Sequence, residues 1–276
     1  MSFNLLSQFG HSASVGSEMR TDVVNYPTVT VDVATIARIR HREAMQITAA
    51  ENTKFGACLA GLTPQQWGAR TECDRWDVRA VAAHVIGAAA AQVSPREFVR
   101  QVRTGKPFVA EIGAQYWWDG MNELQVRERA DASTDQLRQE WADTAPNALK
   151  ARSKLPKPIA NLPLLKLPAP VGRARLKYLF DMGFTRDVWM HRIDIAVAIG
   201  ALPDLDGDHD GRIVADLVAE WAETHGEPFV LELVDLEITY VSGVAGEHVQ
   251  ISTIDFARIL SGRADGDGVL RHPLPL

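Results

Sequence analysis

Cysteine is scarce in this chain of 276 residues, and its scarcity excludes two classes of small domain. The two cysteines, Cys58 and Cys73, have fourteen residues between them. This number and spacing fit neither a disulfide framework nor a paired-cysteine zinc ribbon. A chain so poor in cysteine suits a reducing compartment, and we expect it in the cytoplasm.

Long apolar runs and an excess of positive charge are also missing. No apolar run reaches the ~18 to 20 residues needed to span a bilayer, and the N-terminus lacks the features of a signal peptide. The chain carries 29 lysines and arginines against 35 acidic residues, a formal net charge of -6. Because broad contact with phosphates requires positive charge, we expect neither a nucleic acid nor a membrane as a partner.

The spacing of breakers and apolar residues predicts a helical bundle. Residues 1–31 show no helical or strand period and predict a loosely held arm. From Asp32, a favourable N-cap, an apolar stripe predicts one long helix as far as about residue 62. Asp77 begins a second predicted helix, and capping boxes at residues 94–97 and 133–136 begin two more. Another helix is expected between about residues 110 and 129.

A proline-rich crossover precedes the last helix of the bundle. Five prolines lie between Pro156 and Pro170, at positions that no helix interior would accept. A helix is then predicted from about residue 173 to Gly200, which suits a left-handed C-cap. Next come a helix, three β-rich runs and a short helix. The prediction is an α+β fold that is mainly α, with a bundle over residues 32–206 and a smaller α+β lobe over residues 207–276.

The run TRDVWMHRID at residues 185–194 places an acid and a histidine four positions apart. Positions i and i+4 share one helix face, so Asp187 and His191 project together and suit a divalent cation. His84, in RAVAAHVIGAAAA, is expected to point into the bundle, where its imidazole needs a partner. One cation shared by these three residues would satisfy all of them and leave a fourth position open, as in catalytic zinc sites.

Each of these residues also has an ordinary structural interpretation. His84 fits a core histidine bonded to a carbonyl or hydroxyl group. Asp187 fits a salt bridge to Arg186, to Arg192 or to an arginine of the first helix, because arginines are common in the chain. The spacing alone leaves both alternatives open.

Two longer runs carry a resemblance to a known family. TPQQWGARTECDRWDVRAVAAHVIG, followed about a hundred residues later by RDVWMHRIDIAVAIG, resembles the mycothiol-dependent maleylpyruvate isomerase family of the DinB-like superfamily. The ending FARILSGRADGDGVLRHPLP resembles the small sterol-carrier-like lobe found behind such bundles. The resemblance implies a four-helix bundle that holds a divalent metal, usually zinc, with His84, Asp187 and His191 as the ligands. The characterised pattern has glutamate where this chain has the shorter Asp187.

The same resemblance implies a function. The chain would activate a low-molecular-weight thiol, mycothiol, for isomerisation of a small electrophile or for transfer to one. Arg263, in SGRADG, is the candidate catalytic residue that would hold a substrate carboxylate, or else a partner for a helix dipole. Two other functions stay open: a noncatalytic small-molecule binding or sensor module, and a domain that uses the metal only for stability.

Two further residues lie near these motifs. Asp194 is not predicted to bind the metal itself. Its carboxylate would orient the neighbours of His191, or it would form a salt bridge with a first-helix arginine such as Arg38 or Arg42. Cys73 precedes His84 by eleven residues and is interpreted as a packing residue rather than a nucleophile.

Two polar stretches have less defined roles. Asn122 and Gln125 lie one turn apart on a predicted helix and suit a polar substrate or a solvated face. DGDHDG at residues 206–211 matches the first half of a calcium loop, but Leu217 stands where the loop requires glutamate. We therefore interpret this run as an acidic link between the bundle and the lobe.

Overall fold

The computed structural model describes residues 29–167, 171–201, 203 and 205–274. The first 28 residues of the predicted arm lie outside the described part. The helices are α1 (His41–Gly61), α2 (Val78–Val93), α3 (Pro95–Glu111), α4 (Trp117–Arg127), α5 (Thr134–Ser153), α6 (Lys157–Ala160), α7 (Leu176–Tyr178), α8 (Phe184–Ala198), α9 (Asp210–His225) and α10 (Thr253–Leu260). The strands are β1 (Val29–Asp32), β2 (Leu165–Lys166), β3 (Arg173–Ala174), β4 (Phe229–Leu233), β5 (Ile238–Ser242) and β6 (Glu247–Ile251).

A strand, Val29–Asp32, lies before α1, and the predicted first helix begins at His41 and not at Asp32. Asp32 caps only a short 3-10 turn, in which its side chain accepts a hydrogen bond from the backbone of Ala34 at 2.9 Å. The preceding strand β1 pairs in parallel with β5, with Val29 opposite Ile238. Its β-branched residues suit a strand, and the pairing with a distant part of the chain overrides the helical pattern.

Four long helices form the bundle. Helices α1 and α2 each contact both α5 and α8, so the four helices close into a ring. Helix α2 begins after Asp77, whose side chain accepts a hydrogen bond from the backbone of Ala80 at 2.8 Å. Ser94 and Ser133 cap α3 and α5 as predicted. The bundle core contains Phe55, Leu59, Val81, Ile86, Leu137 and Trp141.

The crossover between α5 and α8 contains short elements where the sequence predicted irregular chain and then one helix. Helix α6 and the hairpin formed by β2 and β3 occupy its first part. A π-helical turn, Leu179–Gly183, joins α7 to α8. Helix α8 itself therefore begins at Phe184, and it places the motif of the sequence analysis in its first three turns.

The C-terminal lobe is a small sheet covered by helices. The sheet has the strand order β1-β5-β4-β6, in which β4 is antiparallel to β5 and parallel to β6. Trp221 of α9, Phe229 of β4 and Phe256 of α10 form part of its core, and Trp189 of α8 belongs to the same cluster. The predicted mainly α fold with a smaller α+β lobe is confirmed. Among the described residues, no helix is long and apolar enough to cross a membrane.

Candidate metal centre

Three ligand-type side chains converge between α2 and α8. Asp187 lies in the first turn of α8, His191 lies one turn further along, and His84 lies in the middle of α2. Nε2 of His84 and Nε2 of His191 each lie 3.6 Å from Oδ1 of Asp187. A ligand atom from each of the three residues lies within 4.8 Å of the other two. The structure thus brings together the three residues that were predicted from the sequence as ligands.

The three candidate ligands differ in how far their side chains are exposed to solvent. The side chains of His84 and His191 are 4% and 7% exposed, whereas that of Asp187 is 29% exposed. The ring of Trp76 lies 5.0 Å from the ring of His84 between centroids, and it also lines a cleft of about 190 Å³. The centre is therefore buried on its histidine side and accessible to solvent at Asp187.

A buried chain of amides holds the second ring nitrogen of His84. Nδ1 lies 2.8 Å from Oε1 of Gln125, whose Nε2 donates to Oε1 of Gln101 at 2.8 Å. Nε2 of Gln101 in turn donates to the backbone oxygen of Gly87 at 3.1 Å. With Nδ1–H donated to Gln125, the lone pair of Nε2 is left for a ligand.

Gln125 and Asn122 were predicted together, but the structure gives them different surroundings. The prediction that Gln125 binds substrate or faces solvent is wrong, because its side chain is fully buried against His84 and Gln101. Asn122 lines the cleft beside Trp76. Gln101 was missed altogether, since no local pattern distinguishes a glutamine that meets another helix from one that faces water.

A second buried group holds Nδ1 of His191. That nitrogen lies 2.8 Å from Oδ2 of Asp194, and Arg263 donates from Nε and Nη2 to both oxygens of Asp194 at 2.7 and 2.8 Å. Burial alone would raise the pKa of Asp194, but His191 and Arg263 outweigh it and hold the pKa well below its usual range. The predicted bridge from Asp194 to Arg38 or Arg42 is wrong, because Arg263 binds this carboxylate.

The alternative that Asp187 forms a salt bridge with Arg186, Arg192 or an arginine of the first helix is also wrong, because within the described residues its salt-bridge contacts are to His84 and His191. Arg186 and Arg192 are both buried and both bind other carboxylates. Burial alone would raise the pKa of Asp187, but the interactions with the nearby rings of His84 and His191 outweigh it and lower the pKa. Arg186 binds Asp216 and Glu220, and Arg192 binds Glu51 and Asp210.

Another cluster of ligand-type groups lies between α1 and the start of α9. It consists of Glu51, His209 and Asp210, all of them buried. Arg192 donates to both Glu51 and Asp210, and Lys54 donates to Asp210 at 3.1 Å. Two cationic side chains already neutralise these carboxylates, so the cluster is a buried salt-bridge network and would repel a metal cation.

The run DGDHDG is more than the acidic link that the sequence predicted. Asp206 accepts hydrogen bonds from the backbone nitrogens of Asp208 and His209, which shape the turn before α9. Asp210 is fully buried and accepts a hydrogen bond from Nε1 of Trp189 at 2.8 Å. The run therefore ties the beginning of the lobe to the last bundle helix.

Cys73 lies beside the centre but is a poor nucleophile and a poor ligand. Its Sγ lies 3.6 Å from Oδ2 of Asp194. Burial raises the pKa of the thiol to about 12, and the nearby Asp194 carboxylate adds to this effect. Because Asp194 is already bound to Arg263, the group formed by Cys73, His191 and Asp194 offers no free carboxylate.

The donor set at Asp187 fits a divalent metal. Two imidazole Nε2 atoms and one carboxylate oxygen are ligands that zinc accepts, and three protein ligands are typical of catalytic zinc. For tetrahedral zinc with bonds of about 2.1 Å, neighbouring ligand atoms lie about 3.4 Å apart. The two separations of 3.6 Å are close to this value, so each pairing of Asp187 with a histidine is near the spacing that a shared zinc ion requires.

Solved structures share the fold of this chain. The crystal structure of the mycothiol-dependent maleylpyruvate isomerase matches with a TM-score of 0.53 at 16% identity, over 86% of this chain and 94% of that chain. The crystal structure of a histidine-to-alanine mutant matches with the same TM-score and identity, over 85% and 92%. At this identity the likeness establishes the fold, a helical bundle followed by a smaller lobe.

The match of a family model to the sequence identifies the family. The family model of the mycothiol maleylpyruvate isomerase N-terminal domain matches residues 48–196, which is more than half of the chain. The chain belongs to this family, and the resemblance seen in the sequence is confirmed. The matched region contains His84, Asp187 and His191. No curated protein matches the chain.

Proposed function

We propose that the chain is a divalent-metal enzyme, with zinc as the metal, that uses a low-molecular-weight thiol to act on a small electrophile. The observation that carries the proposal is the convergence of two imidazole Nε2 atoms on one carboxylate oxygen of Asp187. Mycothiol is the proposed thiol, because the family and the matching structures are those of a mycothiol-dependent maleylpyruvate isomerase. The proposed location is the reducing cytoplasm.

The side chains of the centre have distinct proposed roles. His84 and His191 bind the metal as neutral imidazoles, since Nδ1 of each is held by Gln125 or Asp194. Asp187 provides the one negative charge among the three ligands. A bound zinc ion lowers the pKa of a coordinated thiol, so that the thiolate predominates at neutral pH.

The reaction class follows from the nucleophile. A thiolate that adds to a conjugated double bond leaves a single bond that rotates, and its departure restores the double bond with trans geometry. The thiol is regenerated and the electrons balance without an oxidant. In a transferase the new carbon–sulfur bond would remain, and we propose isomerisation or transfer as the two members of this class.

Substrate approach is proposed from the side of Asp187 and Trp76. Asp187 is the most exposed of the three proposed ligands, and Trp76, whose ring lies beside that of His84, also lines a cleft. Arg263 is proposed to help hold a substrate carboxylate. Asp194 occupies its Nε and Nη2, while among the described residues Nη1 of Arg263 has no acceptor. Nη1 therefore keeps donors for an acidic substrate.

The experiment that tests the proposal measures metal content beside thiol-dependent activity. Zinc is quantified in the purified wild type and in the variants Asp187→Asn, His84→Ala and His191→Ala. We expect about one zinc ion per chain in the wild type and its loss in the three variants. The zinc-loaded wild type should isomerise a dicarboxylate that has a conjugated double bond, or attach the thiol to it, only when the thiol is present.

The matched control is His209→Ala. His209 is also a buried histidine bonded to a carboxylate, Glu51, but it lies in the salt-bridge network and not at the centre. This variant should keep its zinc even where its stability falls. A wild type that stays free of zinc on titration would refute the enzyme proposal and leave a noncatalytic binding module as the better account.

A further inference from the structure

Both oxygens of Asp194 are committed to two partners from different parts of the chain. Oδ2 lies 2.8 Å from Nδ1 of His191, one turn back on the same helix. Arg263, 69 residues further along, grips the same carboxylate with Nε and Nη2. Asp194 is fully buried and the side chain of Arg263 is 13% exposed. These are charge-assisted bonds in a place that water scarcely reaches.

Arg263 belongs to the C-terminal lobe and not to the bundle. It follows α10, after Gly262, whose φ of 76° is left-handed and turns the chain out of the helix. The backbone nitrogen of Arg263 then donates to the backbone oxygen of Arg258 at 2.8 Å. This turn brings the guanidinium of the lobe to α8 of the bundle.

We infer that Asp194 and Arg263 are positioning residues that connect the C-terminal lobe to the metal centre. Arg263 fixes the carboxylate of Asp194, and Asp194 fixes Nδ1–H of His191. The ring of His191 is thereby held with Nε2 toward Asp187. This inference rests on the proposed function and extends it, because it makes the lobe part of the site that binds the metal.

A neighbouring salt bridge makes it possible to distinguish the positioning of His191 from simple attachment of the lobe to the bundle. Arg258, on α10, binds Glu72 through Nε at 2.8 Å and through Nη2, so it also joins the lobe to the bundle. Both side chains of this pair are about one quarter exposed. Neither Arg258 nor Glu72 bonds to His84, Asp187 or His191 within the part of the chain that the structure describes. Loss of this pair therefore loosens the lobe without removing a partner of a ligand.

The experiment compares zinc affinity, by competition with a chromophoric chelator, in the wild type and four variants. Asp194→Asn and Arg263→Gln should weaken zinc binding about 10- to 100-fold. Arg263→Lys keeps the charge but loses the two-pronged contact, and it should recover part of the loss. Arg258→Gln is the control and should bind zinc like the wild type. Circular dichroism establishes that each variant is folded.

Two spectroscopic signals report the orientation of His191 directly. The visible bands of the Co²⁺-loaded protein should change in Asp194→Asn and Arg263→Gln but not in Arg258→Gln. In the metal-free wild type, proton NMR should show a protected imidazole Nδ1–H that exchanges rapidly with water in the same two variants. The second signal needs no metal and is independent of the proposed enzyme function.

The outcomes distinguish the two proposals. If Asp194→Asn and Arg263→Gln match Arg258→Gln in zinc affinity, cobalt bands and Nδ1–H protection, the positioning role is wrong while the zinc site stands. If the wild type binds no zinc but Arg263→Gln loses the protected Nδ1–H, the positioning role is supported while the proposed function fails.

Discussion

Gly87 offers a test of how closely packing and the metal centre depend on each other. It lies on α2, three residues after His84. A Cβ atom at this position would lie 2.5 Å from both Cβ and Cγ of Gln125. Carbon atoms in normal contact are about 3.5 to 4.0 Å apart, so Gly87→Ala overlaps Gln125 by about 1 Å or more. Gln125 is fully buried and bonded at both ends of its amide, so it has little room to yield.

The expected cost of Gly87→Ala follows from two opposing effects. Overpacking of a filled core costs about 1 to 3 kcal/mol, and two close contacts with a fixed side chain place this case near 3 kcal/mol. Alanine is a better helix former than glycine by about 1 kcal/mol. The free energy of unfolding should therefore fall by about 2 kcal/mol. Zinc binding should weaken about 10-fold or more, because Gln125 moves away from Nδ1 of His84.

Urea denaturation measures the first effect and chelator competition the second. The matched control is Gly61→Ala, in the last turn of α1, where no described residue outside the adjoining helix backbone comes within 4 Å of the added Cβ. This control should leave stability unchanged or raise it by up to about 1 kcal/mol, with zinc affinity intact. Equal unfolding midpoints for Gly87→Ala and Gly61→Ala would show that the predicted overlap between α2 and α4 does not exist.

Two further predictions concern buried acid–base groups. Burial alone would raise the pKa of Asp210, but the charge of Arg192 outweighs burial and lowers this pKa. The ionised carboxylate therefore stabilises the fold above pH ~4, and this stabilisation is lost as the pH falls further. Asp210→Asn should cost about 3 kcal/mol at pH 7, and a cost that stays constant down to pH 3 in urea denaturation would contradict this reasoning. Cys73, with a pKa of about 12, should react with iodoacetamide at pH 8 at least about 100-fold more slowly than free cysteine, as followed by peptide mass spectrometry. A rate near that of the free thiol would show that Cys73 is not buried as described.

Local spacing was enough to predict part of the candidate centre. Asp187 and His191 lie four residues apart, and any helix over this run places them on one face. The addition of His84 depended on its apolar surroundings and on the family resemblance, because no spacing rule relates residue 84 to residue 187. The family match confirms the resemblance, and the three roles as ligands remain a proposal.

The residues that form hydrogen bonds to the proposed ligands could not be predicted in the same way. Gln125 is 41 residues from His84, and its amide at a helix surface has the same local pattern as a solvated glutamine. Arg192 and Asp187 are close in sequence, yet Arg192 binds Glu51, 141 residues away, rather than Asp187. Side chains on one turn of a helix point in several directions, so proximity in sequence does not select the partner.

The mainly α fold, the caps of several helices and the pairing of an acid with a histidine on α8 were predictable, because these features depend on periods and contacts within a few residues. Only the packed structure shows that β1 joins β5 in the lobe, that Oδ1 of Asp187 lies 3.6 Å from Nε2 of two histidines, and that Arg263 reaches Asp194. These features depend on which surfaces meet after the helices pack. Such contacts join residues tens to hundreds of positions apart, and no local pattern in the chain encodes them.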